Sequence, residues 1–283
     1  MRTEPMTVRR SPVLRGPVLR RPARTAAAVL SSVALMATLG ACGGAASGES
    51  ADSLTEVSLV FEGALTVCTD MPYAPFEYEE KGKPTGFDID LIRTVADSLE
   101  ADLDVIDVSF DDITSGDSLN NDVCDVAISA MTITGERARV LDFSSPYFDA
   151  KQALITPRGS GLDAVEELAG KRVGVQKDTT GETYLSDFAP ASTQVTAYDD
   201  AAGLQAALAA GELDAAMLDN TVSGQFVSDN PRLKLAREFD TGEQYGMAVK
   251  KDGNIPLLRQ INSVLADLRQ DGTYDKIYGR YFG

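Results

Sequence analysis

Residues 128–139, Ile-Ser-Ala-Met-Thr-Ile-Thr-Gly-Glu-Arg-Ala-Arg, pass directly from the end of an apolar run into hydroxyl and guanidinium side chains. The run itself, Val-Ala-Ile at 126–128, is of the type that is buried in a parallel sheet. Ligands of such sheets bind beyond the carboxyl ends of the strands. The pattern therefore places four residues at the mouth of a cleft: Ser129, Ala130, Thr132 and Arg137.

Two of these side chains have the chemistry to hold an α-amino acid. Arg137 offers a planar fork of donors that fits a carboxylate with two parallel hydrogen bonds, and Thr132 can accept from an ammonium or donate to an oxygen. A second interpretation stays open for the stretch taken alone. Thr-Ile-Thr at 132–134 also fits an edge strand, residues 134–137 nearly match a helix cap, and both arginines would then be solvated.

The chain has the composition of a folded soluble protein. Its 283 residues are 43% hydrophobic and 24% charged, which suits one large or two medium domains. It contains no histidine, and this excludes catalytic triads and metal sites that depend on imidazole. We expect neither a metal nor a cofactor.

The amino terminus is predicted to be a signal peptide, residues 1–41. This segment holds seven arginines against one acid, followed by an apolar stretch at 26–39 that is too short for a comfortable transmembrane span. It ends in Leu-Gly-Ala-Cys at 39–42, which resembles the lipobox of bacterial lipoproteins. Cys42 would then carry a lipid, although a cysteine that small residues happen to precede remains the alternative. The polar residues that follow predict a flexible tether over 42–62.

The charge of the mature chain is strongly negative. Of the 26 basic and 43 acidic residues, 19 and 42 remain after residue 41, which gives a net charge of −23. Nucleic acid is therefore not an expected partner. No later stretch is long and apolar enough to span a bilayer, so the expected location is the outer face of the cell membrane, where the lipid anchors the protein.

Two cysteines remain beyond Cys42, namely Cys68 and Cys124. An even pair in a protein outside the reducing cytoplasm suggests a disulfide. Two buried free thiols, which pack as small apolar side chains, are the alternative.

The order of the predicted elements indicates an α/β fold with two Rossmann-like lobes and a ligand cleft between them. In the first half, strands at 65–69, 103–108 and 126–128 alternate with helices that begin near 91 and at 111–119. In the second half, strands at 171–176, 194–198 and 213–218 alternate with helices at 181–188 and 199–210. Residues 121–128 and 210–217 share one pattern of helix end, turn and apolar strand, and the polar residues that follow them are Ser129 and Asp219.

Two long extended runs predict the connections between the lobes. They give a hinge near 147–152 and 243–248, with lobe 1 at 63–147 plus 248–283 and lobe 2 at 148–247. A helix at 255–268 and an aromatic segment at 272–279 are expected to pack on the first lobe.

Several motifs together resemble the extracellular solute-binding proteins for polar amino acids, which serve ABC importers and share the type II periplasmic binding fold. The resemblance covers almost everything after the tether. Its motifs are Gly-Phe-Asp-Ile-Asp-Leu at 86–91, Ala-Met-Thr-Ile-Thr at 130–134 with Glu-Arg at 136–137, Asp-Phe-Ser at 142–144 with Pro-Tyr at 146–147, Val-Gly-Val-Gln at 173–176, Thr-Thr-Gly-Glu at 179–182, Gln-Tyr-Gly at 244–246 and Gly-Thr-Tyr at 272–274.

The resemblance implies a role for each of nine residues. Arg137 would pair with the ligand α-carboxylate beside Ala130 and Thr132, and Thr180 with Gly181 would complete that site at a helix start. Asp219 would receive the α-ammonium from the second lobe. Tyr73 and Phe110 would sandwich the ligand side chain, and Asp70 would touch its end. Asp178 stands where the family often has glycine, which puts the geometry of that turn in doubt.

Each of these roles has a structural alternative. Asp219 could cap the helix that starts at Asn220, the two aromatics could be core or rim side chains, and Thr180 with Gly181 could simply begin a helix.

The expected function is that of a receptor, and not of an enzyme. Two lobes would close on a free polar amino acid, and the protein, expected to be a monomer, would present the closed form to a membrane permease of an ABC importer. Asp70 favours glutamine or a basic amino acid, unless Gln176, Lys177 or Arg139 reaches the pocket. The alternatives are a dehydratase of cyclic acids (cyclohexadienyl or arogenate dehydratase-like) on the same fold and a ligand-sensing receptor domain.

Overall fold

The computed structural model describes residues 56–283. The signal peptide, Cys42 and most of the tether therefore lie outside the described residues. The elements of the first part are β1 (Ala64–Thr69), β2 (Tyr78–Glu80), β3 (Lys83–Thr85), α1 (Phe87–Ser98), β4 (Asp102–Asp107), α2 (Phe110–Thr114), α3 (Asp117–Asn120), β5 (Val126–Ala127) and β6 (Leu141–Phe143).

The elements of the second part begin with a long strand that leaves the first sheet. They are β7 (Phe148–Pro157), β8 (Arg172–Gln176), α4 (Thr180–Phe188), β9 (Gln194–Tyr198), α5 (Ala201–Ala210), β10 (Ala215–Asp219), α6 (Asn220–Asp229), β11 (Leu233–Tyr245), β12 (Ala248–Lys250), α7 (Ile255–Gln270) and α8 (Thr273–Tyr281). Short 3-10 turns stand at Arg137–Arg139 and Val165–Leu168. None of the helices within 56–283 has the length and apolar composition of a membrane span.

The first sheet has the strand order β4-β1-β5-β12-β6. Strand β1 pairs in parallel with both β4 and β5, whereas β12 runs antiparallel to β5 and β6. Helix α1 covers this sheet with the apolar face predicted from its spacing, which includes Leu91, Ile92 and Val95, all fully buried. The turn before α1 requires Gly86, because a Cβ atom there would lie 2.0 Å from the carbonyl oxygen of Phe76.

The second sheet has the order β11-β7-β10-β8-β9. Strand β8 is parallel to β9 and β10, and the two long strands β7 and β11 run antiparallel to each other. Two α/β lobes are thus present, and the predicted fold class is confirmed. The strands that alternate with helices pair in parallel, as that alternation predicts, β1 with β4 and β5 and β8 with β9 and β10. The crossing and returning strands β7, β11 and β12 run antiparallel to their neighbours.

One predicted helix is interrupted. The sequence predicts a single helix over 111–119, but α2 ends at Thr114 and α3 begins at Asp117. Gly116 between them adopts the left-handed conformation, with φ of 81°, which a continuing helix cannot contain. Phe110, the first residue of α2, lines the cavity described below, and no residue of α3 does.

The crossing segments pair with each other. Strand β11 lies beside β7 in a register that sets Glu243 opposite Ala150 and Tyr245 opposite Phe148. After β11 the chain returns through β12 to the first sheet, and α7 and α8 follow. The aromatic rings of α8 pack edge-on against Phe87 of α1. The lobe boundaries and the hinge positions themselves stay predictions.

Cys68 of β1 and Cys124, just before β5, form a disulfide in the structure. Both are buried in an apolar cluster with Phe110 and Ile113. We expect the mature protein to show no free thiol at these two positions. Mass spectrometry after alkylation of the unfolded, unreduced protein tests this: two alkylated cysteines would contradict the bond.

Candidate ligand-binding site

The carboxyl ends of strands from both sheets meet around one cavity. Asp70 follows β1, Ser129 and Ala130 follow β5, Gln176 ends β8, and Asp219 ends β10. The complete lining is Asp70, Tyr73, Phe110, Ser129, Ala130, Thr132, Arg137, Gln176, Thr179, Thr180 and Asp219. The cavity therefore lies where parallel strands are expected to bind ligands.

Eight of the nine ligand-binding residues predicted from the sequence line this cavity. Gly181 does not. A Cβ atom at Gly181 would lie 2.8 Å from the Oε1 of Gln152 and 3.4 Å from the side chain of Met217. The glycine therefore allows the first turn of α4 to pack closely on β7 and β10, and it affects the cavity only through the position of that turn.

Arg137 is buried beneath the cavity, and its guanidinium bridges the two lobes. One terminal nitrogen donates to the carbonyl of Thr132 at 2.7 Å, and the other donates to the carbonyl of Asp178 at 2.8 Å. The guanidinium carbon lies 5.2 Å from the centre of the Phe110 ring, a cation–π distance. Burial lowers the pKa of Arg137 to about 10, although the carboxylates of Asp219 and others oppose the shift. The group is therefore positively charged at neutral pH.

The turn that presents a carbonyl to Arg137 depends on the conformation of Asp178. Its φ is 58°, in the left-handed region where glycine is most at ease and aspartate is tolerated. Its backbone N–H donates to the carboxylate of Glu182 at 2.8 Å. Asp178 therefore adopts the backbone conformation that glycine would have at this position, and the turn forms without glycine. Beside it, Lys177 forms an exposed ion pair with Asp111 at 2.8 Å.

Asp219 lies across the cavity, at the junction of β10 and α6. Its side chain makes no helix-capping bond. Instead one oxygen accepts from the Nε2 of Gln152 at 2.6 Å, and the other accepts from the hydroxyl of Tyr245. Burial and the neighbouring carboxylate of Glu243 raise the pKa of Asp219 to about 7. A ligand ammonium would favour the ionised form of this carboxyl.

Asp70 stands at the far end of the cavity and faces Gln176 from the second lobe. The Nε2 of Gln176 donates to the Asp70 carboxylate at 2.7 Å. Burial raises the pKa of Asp70 to about 6, and Asp107, Asp200 and Asp111 add to the shift. This end of the cavity offers carboxylate and amide oxygens, which suit a ligand that donates hydrogen bonds. Of the three residues that could reverse this preference, Gln176 does reach the cavity, where its amide nitrogen donates to Asp70, whereas Lys177 and Arg139 are not part of the lining.

A pair of buried carboxyl groups supports the wall of the cavity from behind. Glu77 and Asp88 are both fully buried. Glu77 accepts from the hydroxyl of Ser129 at 2.6 Å, and Asp88 accepts from the backbone N–H of Ala130 at 2.8 Å and from the hydroxyl of Tyr147 at 2.7 Å. Ala130 itself has a φ of 41°. The two carboxyl groups thus hold the consecutive wall residues Ser129 and Ala130, the second of them in a backbone conformation that alanine rarely adopts.

Burial raises both pKa values, that of Asp88 to about 7 and that of Glu77 well above its ordinary value, and at Glu77 repulsion by Asp88 adds to the effect of burial. An acid with a raised native pKa stabilises the fold below its unfolded pKa, near 4, and this contribution is lost as the pH rises through the native pKa. The raised pKa values of Asp70 and Asp219 change the stability with pH in the same direction. The ligand-free protein should therefore melt at a higher temperature at pH 5 than at pH 8.

Asp88→Asn provides the control for this prediction. Its amide oxygen can still accept from Ala130 and Tyr147, but the side chain cannot ionise. At about 1.4 kcal/mol per pKa unit, the variant should gain a few kcal/mol at pH 8, or at least ~3 °C in melting temperature, and little at pH 5. A wild-type melting temperature that rises between pH 5 and pH 8 would refute the prediction. An increase in melting temperature of Asp88→Asn that is equal at pH 5 and pH 8 would refute it as well.

Two residues of this site have no clear signal in the sequence. Gln152 of β7 and Glu243 of β11 face each other on paired strands, and the Nε2 of Gln152 lies 3.2 Å from both carboxylate oxygens of Glu243. Each looks like an ordinary polar position in an extended run. Only the antiparallel pairing of β7 with β11, formed over about ninety residues of sequence, brings them together under the cavity.

Comparison with known proteins identifies one family. Residues 65–283 match the bacterial extracellular solute-binding proteins, family 3. The glutamine-binding protein of an ABC transporter of Bacillus subtilis (strain 168) is 33% identical over 259 residues, which cover 89% of this chain and 93% of that protein.

Two solved structures extend the comparison. An ancestral arginine-binding protein bound to arginine superposes with a TM-score of 0.74 at 39% identity, covering 78% of this chain and 99% of that one. An ancestral amino-acid-binding protein described as a precursor of cyclohexadienyl dehydratase has a TM-score of 0.72 at 31% identity, covering 78% of this chain and 96% of that one. The protein belongs to the bacterial extracellular solute-binding proteins of family 3.

Proposed function

We propose that this protein binds a free polar amino acid outside the cytoplasm and delivers it to the permease of an ABC importer. The observation that carries the proposal is that Arg137, in the 3-10 turn between β5 and β6 of the first sheet, and Asp219, at the end of β10 of the second, line one cavity. A guanidinium and a carboxylate in this arrangement are complementary to the carboxylate and ammonium of an amino acid. Of the relatives described above, one is a glutamine-binding protein and another is an arginine-binding protein bound to arginine.

Closure of two lobes is the proposed mechanism, with lobe 1 at 63–147 plus 248–283 and lobe 2 at 148–247. The cavity measures about 30 Å³, room for a few water molecules at most. The polar groups that would contact a ligand instead form hydrogen bonds with each other across the cleft. Gln176 donates to Asp70, and Arg137 donates to the carbonyl of Asp178. A ligand therefore enters when the lobes part at the hinge, and it replaces these contacts.

The ligand class follows from the far end of the cavity. Asp70 and the amide oxygen of Gln176 both accept hydrogen bonds, so glutamine and the basic amino acids are favoured over aspartate and glutamate. The test is a thermal-shift screen against the twenty amino acids. A ligand at about 100 times its dissociation constant adds about 2.7 kcal/mol to the free energy of unfolding. Stabilisation by none of them would sink the proposal.

A dehydratase is the second candidate, because one structural neighbour is described as the precursor of such an enzyme. Against it, the carboxyl groups that line the cavity, Asp70 and Asp219, are both engaged in hydrogen bonds that suit ligand binding. A general acid would need a further group with a free proton path to the ligand. Incubation with a cyclohexadienyl acid separates the two: release of water and carbon dioxide would establish the enzyme.

Lipid attachment at Cys42 is part of the proposal, and it would hold a monomeric receptor at the outer face of the membrane. The sequence at 39–42 supports it. We expect Cys42→Ser to move the protein from the membrane fraction to the soluble fraction after cell lysis, with ligand binding unchanged. A variant that stays with the membrane would show that the tether lies elsewhere.

A further inference from the structure

Glu243 carries a buried carboxylate that joins the two lobes beneath the cavity; its residue is 8% exposed. Its Oε2 atom accepts from the hydroxyl of Thr132 at 2.8 Å and from the hydroxyl of Thr180 at 2.8 Å. The Oε1 atom accepts from Thr241 at 2.9 Å, and Gln152 lies between the two oxygens. Thr132 follows the first sheet and Thr180 begins α4 of the second, so one carboxylate oxygen holds a hydroxyl from each lobe.

These bonds fix the direction in which both hydroxyls present their hydrogen. A threonine hydroxyl has one hydrogen to donate and two lone pairs to accept with. Thr132 and Thr180 both line the cavity, and both give their single hydrogen to Glu243. They therefore turn only lone pairs toward a ligand. Left alone, either hydroxyl could donate to a ligand carboxylate as readily as it accepts from an ammonium.

We propose that Glu243 is a specificity-determining positioning residue, which makes both threonine hydroxyls acceptors and so completes, with Asp219, a site for a ligand ammonium. This inference rests on the proposed function and adds Glu243 to the residues that determine which ligand binds. It agrees with the position of the ligand carboxylate that the resemblance implies, at Arg137 and the start of α4, because the two hydroxyls have no hydrogen left to donate to that carboxylate.

Glu243→Gln tests the proposal with little change of shape. The side-chain NH₂ group that this substitution introduces would donate to the hydroxyl of Thr132 or Thr180. That hydroxyl would then point its hydrogen into the cavity, toward the ligand ammonium. The probes are L-arginine with 5-guanidinopentanoate, and L-glutamine with 4-carbamoylbutanoate. The second member of each pair lacks only the α-amino group. Affinities come from calorimetry, with the weak analogues measured by competition.

The variant should bind the amino acid at least ~10-fold more weakly, while the affinity of its analogue changes less than ~3-fold. Equal losses for amino acid and analogue would overturn the inference and leave the proposed function standing. Binding of neither amino acid by the wild type would remove the proposed ligand class, and the inference with it. Glu238→Gln is the matched control, since Glu238 is an exposed glutamate on the same strand; its affinities should stay within ~2-fold of the wild type.

When an analogue binds too weakly to measure, a double-mutant cycle tests whether Glu243 acts through the two threonine hydroxyls. In a Thr132→Val, Thr180→Val background the hydroxyls are absent, so Glu243→Gln should cost less than ~3-fold in amino-acid affinity, against at least ~10-fold in the wild type. The same loss in both backgrounds would show that Glu243 acts on binding by another route. Melting curves of each variant confirm that the compared proteins are folded.

Discussion

Arg137→Ala should weaken amino-acid binding at least ~30-fold, because truncation of one partner of a desolvated charge pair typically costs ~2 to 5 kcal/mol. The guanidinium is buried, stacks over Phe110 and still has N–H groups beyond the two that bond to backbone carbonyls. These remaining donors are the ones that a ligand carboxylate would meet. Calorimetry with the best ligand from the amino-acid screen measures the loss.

Arg139→Ala is the matched control for this variant. Arg139 lies two residues further along the same 3-10 turn, but it is exposed and does not line the cavity. Its replacement should leave the affinity unchanged. Unchanged affinity in Arg137→Ala would remove Arg137 from the site. A collapsed melting temperature of the ligand-free variant would mean instead that the guanidinium is chiefly a bridge between the lobes.

Asp219→Ala should also weaken binding at least ~30-fold, for the same reason applied to the ammonium of the ligand. The raised pKa of Asp219, about 7, adds a pH dependence to this prediction. Above pH 7 the ionised carboxylate receives the ammonium directly, whereas below it the ligand must first displace a proton. The affinity of the wild type should therefore fall as the pH decreases from 8 to 6, by up to ~10-fold per unit.

Asp219→Asn isolates this effect, because the amide preserves the shape but cannot ionise. Its affinity should be low and nearly independent of pH over the same range. Retention of the wild-type slope would assign the titration to another group, and Asp70, whose pKa is about 6, would be the next to test. Asp229→Ala, an exposed aspartate at the end of α6, serves as the control and should bind normally.

Combining Arg137→Ala with Asp219→Ala tests whether the two residues hold one ligand molecule. Each single variant leaves the ligand bound by the other group only, so the second truncation removes an interaction that is already weakened. The double variant should therefore lose less than the sum of the two single losses. Strict additivity would mean that the residues do not act on the same bound molecule.

The sequence predicts the cavity well because its lining follows apolar strands. Asp70 follows a buried strand of the first sheet and Asp219 ends a buried strand of the second, so the local pattern places each carboxyl group at the carboxyl end of a strand. That these two strand ends face one cleft depends on the repeated pattern of the two halves and on the family resemblance. Arg137 and the threonine at 132 needed the further step of a family resemblance, since the same residues also fit an exposed edge.

What the sequence does not predict depends on pairing between distant segments. Glu243 becomes important only because β11 lies beside β7 with a shifted register between Phe239 and Glu243, and no local pattern encodes that shift. The buried pair of Glu77 and Asp88 is hidden for a different reason. Acidic residues are usually exposed, and the local sequence around Glu77 or Asp88 does not predict that the two are buried side by side.

The position of β12 has a consequence for the order in which the molecule forms during synthesis. This strand lies between β5 and β6 in the first sheet, yet about a hundred residues separate it from β6 along the chain. Strands β7 to β11, by contrast, occupy one continuous stretch and complete the second sheet by themselves. A growing chain can therefore finish its second half first, because nearer contacts close with less loss of entropy. Until residue 250 has been synthesised, Asp219 belongs to a complete sheet but Arg137 lies beside a sheet that still lacks β12. The nascent chain therefore cannot bind its ligand.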